Sequence, residues 1–168
     1  MGNLQDIEGR FADHGILNFT PAEVTRTNAN LADVKIVTLV SLQEVRTNIA
    51  RRIHLIRNGL TTGNHVAVEH PNGLAVDSHL DLRDGPITSN TLRMLFVHAI
   101  RAGFTGIGIY WNGVAYSFHF DLRPLDRFAV WMGVKDRPAV GSWRMTTIIG
   151  QSAVLIDPVQ LLDRLKQN

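Results

Sequence analysis

Two periods alternate along this chain, and their changes predict its elements. Residues 36 to 57 repeat apolar side chains at Leu42, Val45, Ile49 and Ile53, broken by Arg46, Arg51 and Arg52. That is the helical period, and Asn58-Gly59 supplies a stop. Between Leu60 and Leu82 the spacing falls to two: Val66 and Val68, then Leu74, Val76 and Leu80, alternate with polar residues, and Pro71-Asn72-Gly73 marks a turn between two strands. Alternation places Asp77, His79 and Asp81 on one face of the second strand. The helical period returns at Leu92, Leu95, Phe96, Ala99 and Ile100, so a helix is expected from about Thr91 to Ala102, capped by Ser89 or Asn90 and closed by Gly103. Residues 106 to 111 and 114 to 122 then read as two strands joined at Asn112-Gly113, a strong hairpin signal.

The two ends carry less pattern. Residues 1 to 18 read as a loosely ordered lead-in, after which Thr20 as N-cap, Pro21 at the first helical position and Glu23 at the third start a short helix. Residues 124 to 168 read as a Pro- and Arg-rich turn region, strands at 142 to 149 and 153 to 156, and a last helix from Asp157 to Gln167. The sum is an α+β domain with helices packed on a small antiparallel sheet, in one domain of 168 residues with no internal repeat.

Composition narrows the chemistry. With 45% apolar, 19% charged and 7% aromatic residues, the chain has the make-up of an ordered globular protein. Cysteine is absent, so His, Asp and Glu are the metal ligands at hand and disulfides play no part. The formal charge is +2 and the pI about 9.4. That mild basicity suits an anionic polymer, but no Lys/Arg cluster makes a nucleic-acid footprint, and no nucleic-acid partner is expected. Met1 to Arg10 lacks the apolar core of a secretory signal, and no stretch reaches membrane-spanning length, so neither a signal peptide nor a membrane partner is expected.

The candidate chemistry lies in His70-Pro71-Asn72-Gly73-Leu74-Ala75-Val76-Asp77 and in Phe118-His119-Phe120-Asp121. An imidazole and a carboxylate joined by a Gly-containing turn close on one metal ion when a second imidazole arrives from a distant strand. Two His and one Asp leave one position open, the arrangement of catalytic zinc. The plainer alternatives are a hydrogen-bonded turn for His70 and Asp77 and a satisfied core histidine for His119. A five-residue echo, His79-Leu80-Asp81-Leu82-Arg83 against His119-Phe120-Asp121-Leu122-Arg123, adds His79 as a competing ligand. His65 and His79 otherwise read as near-site or surface residues, and His14, His54 and His98 receive no role. Trp131 and Trp143 read as packing, and the arginines at 46, 51, 52 and 57 as a solvated basic face.

The first segment resembles the His-x-x-Gly-x-Ala-x-Asp motif of the zinc D-alanyl-D-alanine carboxypeptidases and the related L-alanyl-D-glutamate phage endolysins. Residues 102 to 110, leading to Phe118-His119-Phe120-Asp121, and residues 18 to 23 extend the likeness over a peptidase-like core of residues 18 to 123. Residues 124 to 168 form an extension of unknown role. The resemblance implies a Hedgehog/DD-peptidase-like fold, zinc held by His70, Asp77 and His119, and hydrolysis of peptidoglycan stem peptides by a metal-activated water. With no export signal expected, the likeness goes with cytoplasmic synthesis and action at the cell wall, or with association with a virion. Many members place an acid three residues before the third ligand, where Tyr116 stands here. Asp121 is therefore taken as catalytic base, with orientation of His119 as its other role, and Glu69 is a further candidate. The family's Ser-Gly-Tyr-Arg run has no counterpart in residues 58 to 65, which leaves the substrate-binding group unassigned. The competing expectations are a non-catalytic binding or structural module of the same fold, and a metallohydrolase of another small amide or ester.

Overall fold

The structure, a computed structural model, describes residues 4–26, 34–57, 59–60, 69–135 and 144–149. Among the described residues four α-helices, α1 (Leu4–Asp13), α2 (Pro21–Arg26), α3 (Ile36–Ile49) and α4 (Ser89–Arg101), accompany six strands. These are β1 (Ile53–Leu55), β2 (Ala75–Leu80), β3 (Gly106–Trp111), β4 (Tyr116–Asp121), β5 (Ala129–Val134) and β6 (Arg144–Ile149). The expected strand around Val66 and Val68, the strand at 153–156 and the last helix fall outside the described residues.

The predicted lead-in is instead a helix, because Phe11 and Ile16 reach the core and α1 is tied to it through them. The start of α2 follows its sequence signal: the Glu23 N–H donates to Thr20 Oγ1 at 3.2 Å and the Thr20 N–H donates to Glu23 Oε2 at 2.8 Å, a reciprocal cap. The run from 36 to 57 is not one helix. It stops at Ala50, which takes the left-handed conformation at φ 51°, and Ile53, which continues the apolar spacing, belongs to β1. Arg51 and Arg52 do not form a solvated face either. The Arg51 guanidinium donates to the carbonyls of Gly85 and Pro86, and Arg52 pairs with Asp84 at 2.6 Å, so both hold the turn that follows β2. Thr88, one residue before the expected cap, closes the N-terminus of α4 by a reciprocal bond with Thr91.

The sheet order is β1-β2-β4-β3-β5-β6, and every pairing is antiparallel except β3 with β5. The expected small antiparallel sheet is thus a six-stranded mixed one. The additions are β1, within the stretch expected to be helix, and β5, in a stretch expected to be turn. The β5 sequence, Ala129–Val134, is a nearly unbroken apolar run, the mark of a strand covered on both faces rather than of a half-exposed one. The link from β4 to β5 rounds the start of β3 at Thr105, whose N–H donates to the Asp121 carbonyl and whose own carbonyl accepts from the Ala129 N–H, both at 2.9 Å. The β3–β4 hairpin turns through four residues, with Asn112 Oδ1 accepting from the N–H groups of Val114 and Ala115 and Gly113 at φ 91°.

One face of the sheet, with Val76, Ile107, Ile109, Phe118, Phe120, Val130 and Met132, merges with Leu39, Leu42 and Val45 of α3 and Leu92, Leu95 and Ala99 of α4 in a single apolar core. Register places Ala75, Asp77, Gly106, Gly108, Tyr110, His119, Asp121 and Trp131 together on the opposite face. Among the described residues no helix is long and apolar enough to cross a membrane.

Candidate metal centre

Strand pairing sets two of the three predicted ligands side by side. Asp77 on β2 is directly opposite His119 on β4, and each points to the face away from the helices. The Asp77 backbone is gripped from the β1 side: its N–H donates to the Gly59 carbonyl at 2.7 Å, and its carbonyl accepts from the Ile56 N–H at 3.0 Å. The chain comes so close there that a Cβ on Gly59 would stand 2.8 Å from the Cβ of Asp77. His70 arrives from the turn before β2. Gly73, at φ 69°, allows that turn, which is closed by the Gly73 N–H on the His70 carbonyl at 3.0 Å and the Leu74 N–H on the Glu69 carbonyl at 2.9 Å. Thr38, wholly buried in the first turn of α3, donates its hydroxyl to the Gly73 carbonyl at 2.8 Å and fixes the turn to the core.

The ligand atoms converge. His70 Nε2 lies 3.1 Å from His119 Nδ1, His119 Nδ1 lies 2.9 Å from Asp77 Oδ1, and His70 Nε2 lies 3.6 Å from Asp77 Oδ1. Ligands bound about 2.05 Å from a tetrahedral zinc stand about 3.3 Å apart, so the triangle has the right size for the ion. The proton positions point the same way. His119 Nε2 is 2.9 Å from the Asp121 carboxylate and His70 Nδ1 is 3.4 Å from the Leu60 carbonyl, and both of these oxygens accept. The facing nitrogens therefore carry the hydrogens, which turns the lone pairs of His70 Nε2 and His119 Nδ1 toward Asp77 Oδ1. Three acceptors meeting at one point need a cation between them. In the metal-free protein a second proton on His119 would fill that role. Burial pushes the His119 pKa down, but the hydrogen bonds to Asp121 and Asp77 outweigh it and hold it above its ordinary value. For Asp77 burial raises the carboxyl, and the bonds from His119 and His70 bring it well below the usual carboxylate range.

Asp121 stands behind His119, not in front of it. Its Oδ1 accepts from the Arg123 N–H at 3.1 Å and from Arg123 Nε at 2.8 Å; its Oδ2 accepts from Arg123 Nη2 at 2.5 Å and from His119 Nε2. Both oxygens are engaged and the residue is fully buried, which is the geometry of an orienting partner, the second of the two roles expected of it. Burial pushes its carboxyl up, and Arg123 with His119 holds it well below the usual range all the same. Room for this carboxylate comes from Gly106, where a Cβ would stand 2.2 Å from both oxygens. Glu69, the other candidate base, is tied to Arg127 at 3.0 Å. Tyr116 stacks on Phe118 and lies tilted against Trp111, on the helix-covered face, away from His119.

His79 does not join the cluster. It sits exposed opposite His54, with ring centroids 5.3 Å apart, while His54 Nε2 is 3.0 Å from Asp81. The five-residue echo repeats a local device: the Arg83 N–H and guanidinium hold Asp81 as Arg123 holds Asp121. His65 and Trp143 lie outside the described residues, and the structure brings neither His14 nor His98 to the cluster. Trp131 is more than packing. Its ring lies 5.0 Å from that of His119, the Arg123 guanidinium sits over it at 5.0 Å, and its Nε1–H donates to the Tyr110 hydroxyl at 2.5 Å. Gly108 makes room for that ring, since a Cβ there would stand 2.5 Å from Trp131 Nε1. Sequence reasoning missed Thr38, Gly106, Tyr110, Arg123 and Trp131. The alternation of Gly106, Gly108 and Tyr110 on one strand face was the available signal.

In front of the cluster opens a cavity of about 430 Å³, lined by Ile56, Asp77, Tyr110, Ser117, His119 and Met145 among others. Comparison of the chain with family models, with curated proteins and with solved structures finds no match.

Proposed function

We propose that the protein is a zinc-dependent peptidase of peptidoglycan stem peptides, with a Hedgehog/DD-peptidase-like fold and with zinc held by His70 Nε2, His119 Nδ1 and Asp77 Oδ1. The observation that carries this reading is the convergence of those three atoms, all within 4.8 Å of one another, at the edge of an open cavity. Two imidazoles and one carboxylate are the donor set of hydrolytic zinc. When bound, the ion supplies Lewis acidity and a water of lowered pKa, near 7. The chain's own part is to hold and aim. Asp121 fixes the tautomer and plane of His119, Arg123 fixes Asp121, and Thr38 and Gly73 hold the His70 turn. Ile56 and Met145 offer apolar surface to a small side chain of the substrate.

A non-catalytic module organised by metal is the second reading. It is favoured by the placement of Asp121 and Glu69, which leaves Asp77 as the one carboxylate lining the cavity among the described residues. Metal analysis and digestion of purified peptidoglycan separate the two. The peptidase reading expects one zinc per chain, release of stem-peptide fragments by the wild type, and loss of both in His119→Ala. One bound zinc with no fragments from any peptidoglycan type leaves the module reading.

A further inference from the structure

We propose that Tyr110 is a catalytic residue of this site, a hydrogen-bond donor to the scissile carbonyl oxygen of a peptide lying in the cavity, and that Trp131 is the residue that positions it. The inference rests on the peptidase reading and names a group which that reading leaves without an owner. Hydrolysis at a zinc site is faster when a donor, besides the ion, stands where negative charge grows on the carbonyl oxygen. The two acids expected near the site are both turned away from the cavity, one behind His119 and the other on Arg127. What remains among the lining residues is Asp77 and His119 in the metal cluster, the Ser117 hydroxyl and Tyr110.

Register puts Tyr110 in reach. Gly108 is directly opposite His119 and Tyr110 opposite Ser117, so Tyr110 stands one diagonal step from His119 on the same face of the sheet, about 7–8 Å between Cα atoms. A phenol ring spans much of that gap. Its orientation is imposed from the side. Indole Nε1–H can only donate, so the Tyr110 oxygen is the acceptor in the 2.5 Å bond from Trp131, and the phenolic O–H must point elsewhere. Two glycines keep this pair in place: Gly108 admits the Trp131 ring, and a Cβ there would also press on Tyr110 Cε2 at 2.9 Å. A phenol carries its proton at neutral pH and serves there as donor. In the reaction a water oxygen bonds to the carbonyl carbon, the C–N bond breaks, and the water proton goes to the leaving amine. Tyr110 gives up no atom and no charge.

The test uses the full-length zinc protein and three variants, Tyr110→Phe, Trp131→Phe and the double variant, with two readouts. The first is steady-state cleavage of stem peptide. The second is binding of an alanyl-alanine phosphinate, whose oxygens stand where the carbonyl oxygen would, to the cobalt-substituted protein, followed by its visible absorption. Tyr110→Phe is expected to keep one metal per chain and nearly the same KM, to lose about 100-fold in kcat, and to bind the phosphinate at least tenfold more weakly. Trp131→Phe is expected to give a smaller loss of the same kind, and the double variant no more than Tyr110→Phe alone. Unchanged phosphinate binding and kcat in Tyr110→Phe overturn the proposal, as does a loss carried entirely by KM or by metal content. If the wild type cleaves no peptide, the substrate assignment fails, and the phosphinate measurement still decides on Tyr110.

Discussion

Replacing Gly106 by alanine tests whether the centre depends on the carboxylate behind it. The new Cβ would stand 2.2 Å from both oxygens of Asp121 and 2.4 Å from its Cγ. An ordinary contact is about 3.5 Å, so the carboxylate or the strand must shift by about 1 Å. The strand is pinned on both sides, to Asp121 and to Ala129. The carboxylate is pinned by His119 and by three N–H groups of Arg123. Overpacking costs about 1–3 kcal/mol and the weakening of a buried charge-assisted network a similar amount. Together about 3 kcal/mol is expected, a fall in Tm of about 6–12 °C for a chain of this size. Loss of His119 orientation should weaken zinc by about 10- to 100-fold. Calorimetric zinc titration and thermal melts with EDTA measure both. Gly9, on α1 with nothing within 4 Å of an added Cβ, is the control, and Gly9→Ala should gain about 0.5–1 kcal/mol. If Gly106→Ala melts within 2 °C of the wild type (roughly the effect of 1 kcal/mol) and binds zinc equally well, the supporting role of Asp121 is refuted.

Zinc affinity should fall on acidification, about tenfold per pH unit once the pH is below the raised pKa of His119, because the ion replaces a proton; titrations between pH 5 and 8 would show this, and a flat profile contradicts it. In the metal-free protein the sign reverses for stability: the His119 contribution is complete below about pH 6.5 and disappears as pH rises through the raised value, whereas those of Asp77 and Asp121 are present above about pH 4 and vanish as pH falls. Urea midpoints in EDTA should therefore decline above neutrality. Because the His79 pKa is lowered, by partial desolvation of its exposed ring and by the neighbouring His54, and runs the opposite way, the measurement belongs in a His79→Gln background, and a midpoint still rising from pH 7 to 8 would count against the proton-filled cluster. Ser78 Oγ is buried in β2 with no hydrogen-bond partner, so Ser78→Ala should stabilise by about 1 kcal/mol; a loss of that size in urea unfolding would mean the hydroxyl is satisfied. Thr38→Val should cost about 1–3 kcal/mol by orphaning the Gly73 carbonyl, and should weaken zinc through the His70 turn; an unchanged zinc Kd would separate the turn from the centre.

The local half of the architecture was legible. The cap at Thr20, the β3–β4 hairpin and the alternation in β2 are short-range signals, and each produced its element near the expected place. The errors arise where distant packing decides. Ile53 continues the apolar period of α3, but Ala50 takes the left-handed conformation and hands Ile53 to a strand whose partner, Leu80, is far along the chain. Ala129–Val134 reads as featureless because a strand covered on both faces shows no alternation. In the centre, ligand spacing carried His70, Asp77 and His119 to one place. The distinction between a base and an orienting group for Asp121 depends on which side of an imidazole it occupies. That side is set by Arg123 and by the space above Gly106, neither of which a spacing motif encodes.

The single parallel pairing has a bearing on how the protein can be divided. A fragment cut after Arg123 would keep every proposed ligand, yet it would strip β3 of the neighbour along its whole length and uncover a row of unpaired amides beside the His119 strand. It would also lose the indole that rests on His119 and the segment bearing Arg127, the counterion of Glu69. Strands β3 and β5 are therefore expected to fold as one cooperative unit, and cutting the chain between β4 and β5 should give insoluble fragments.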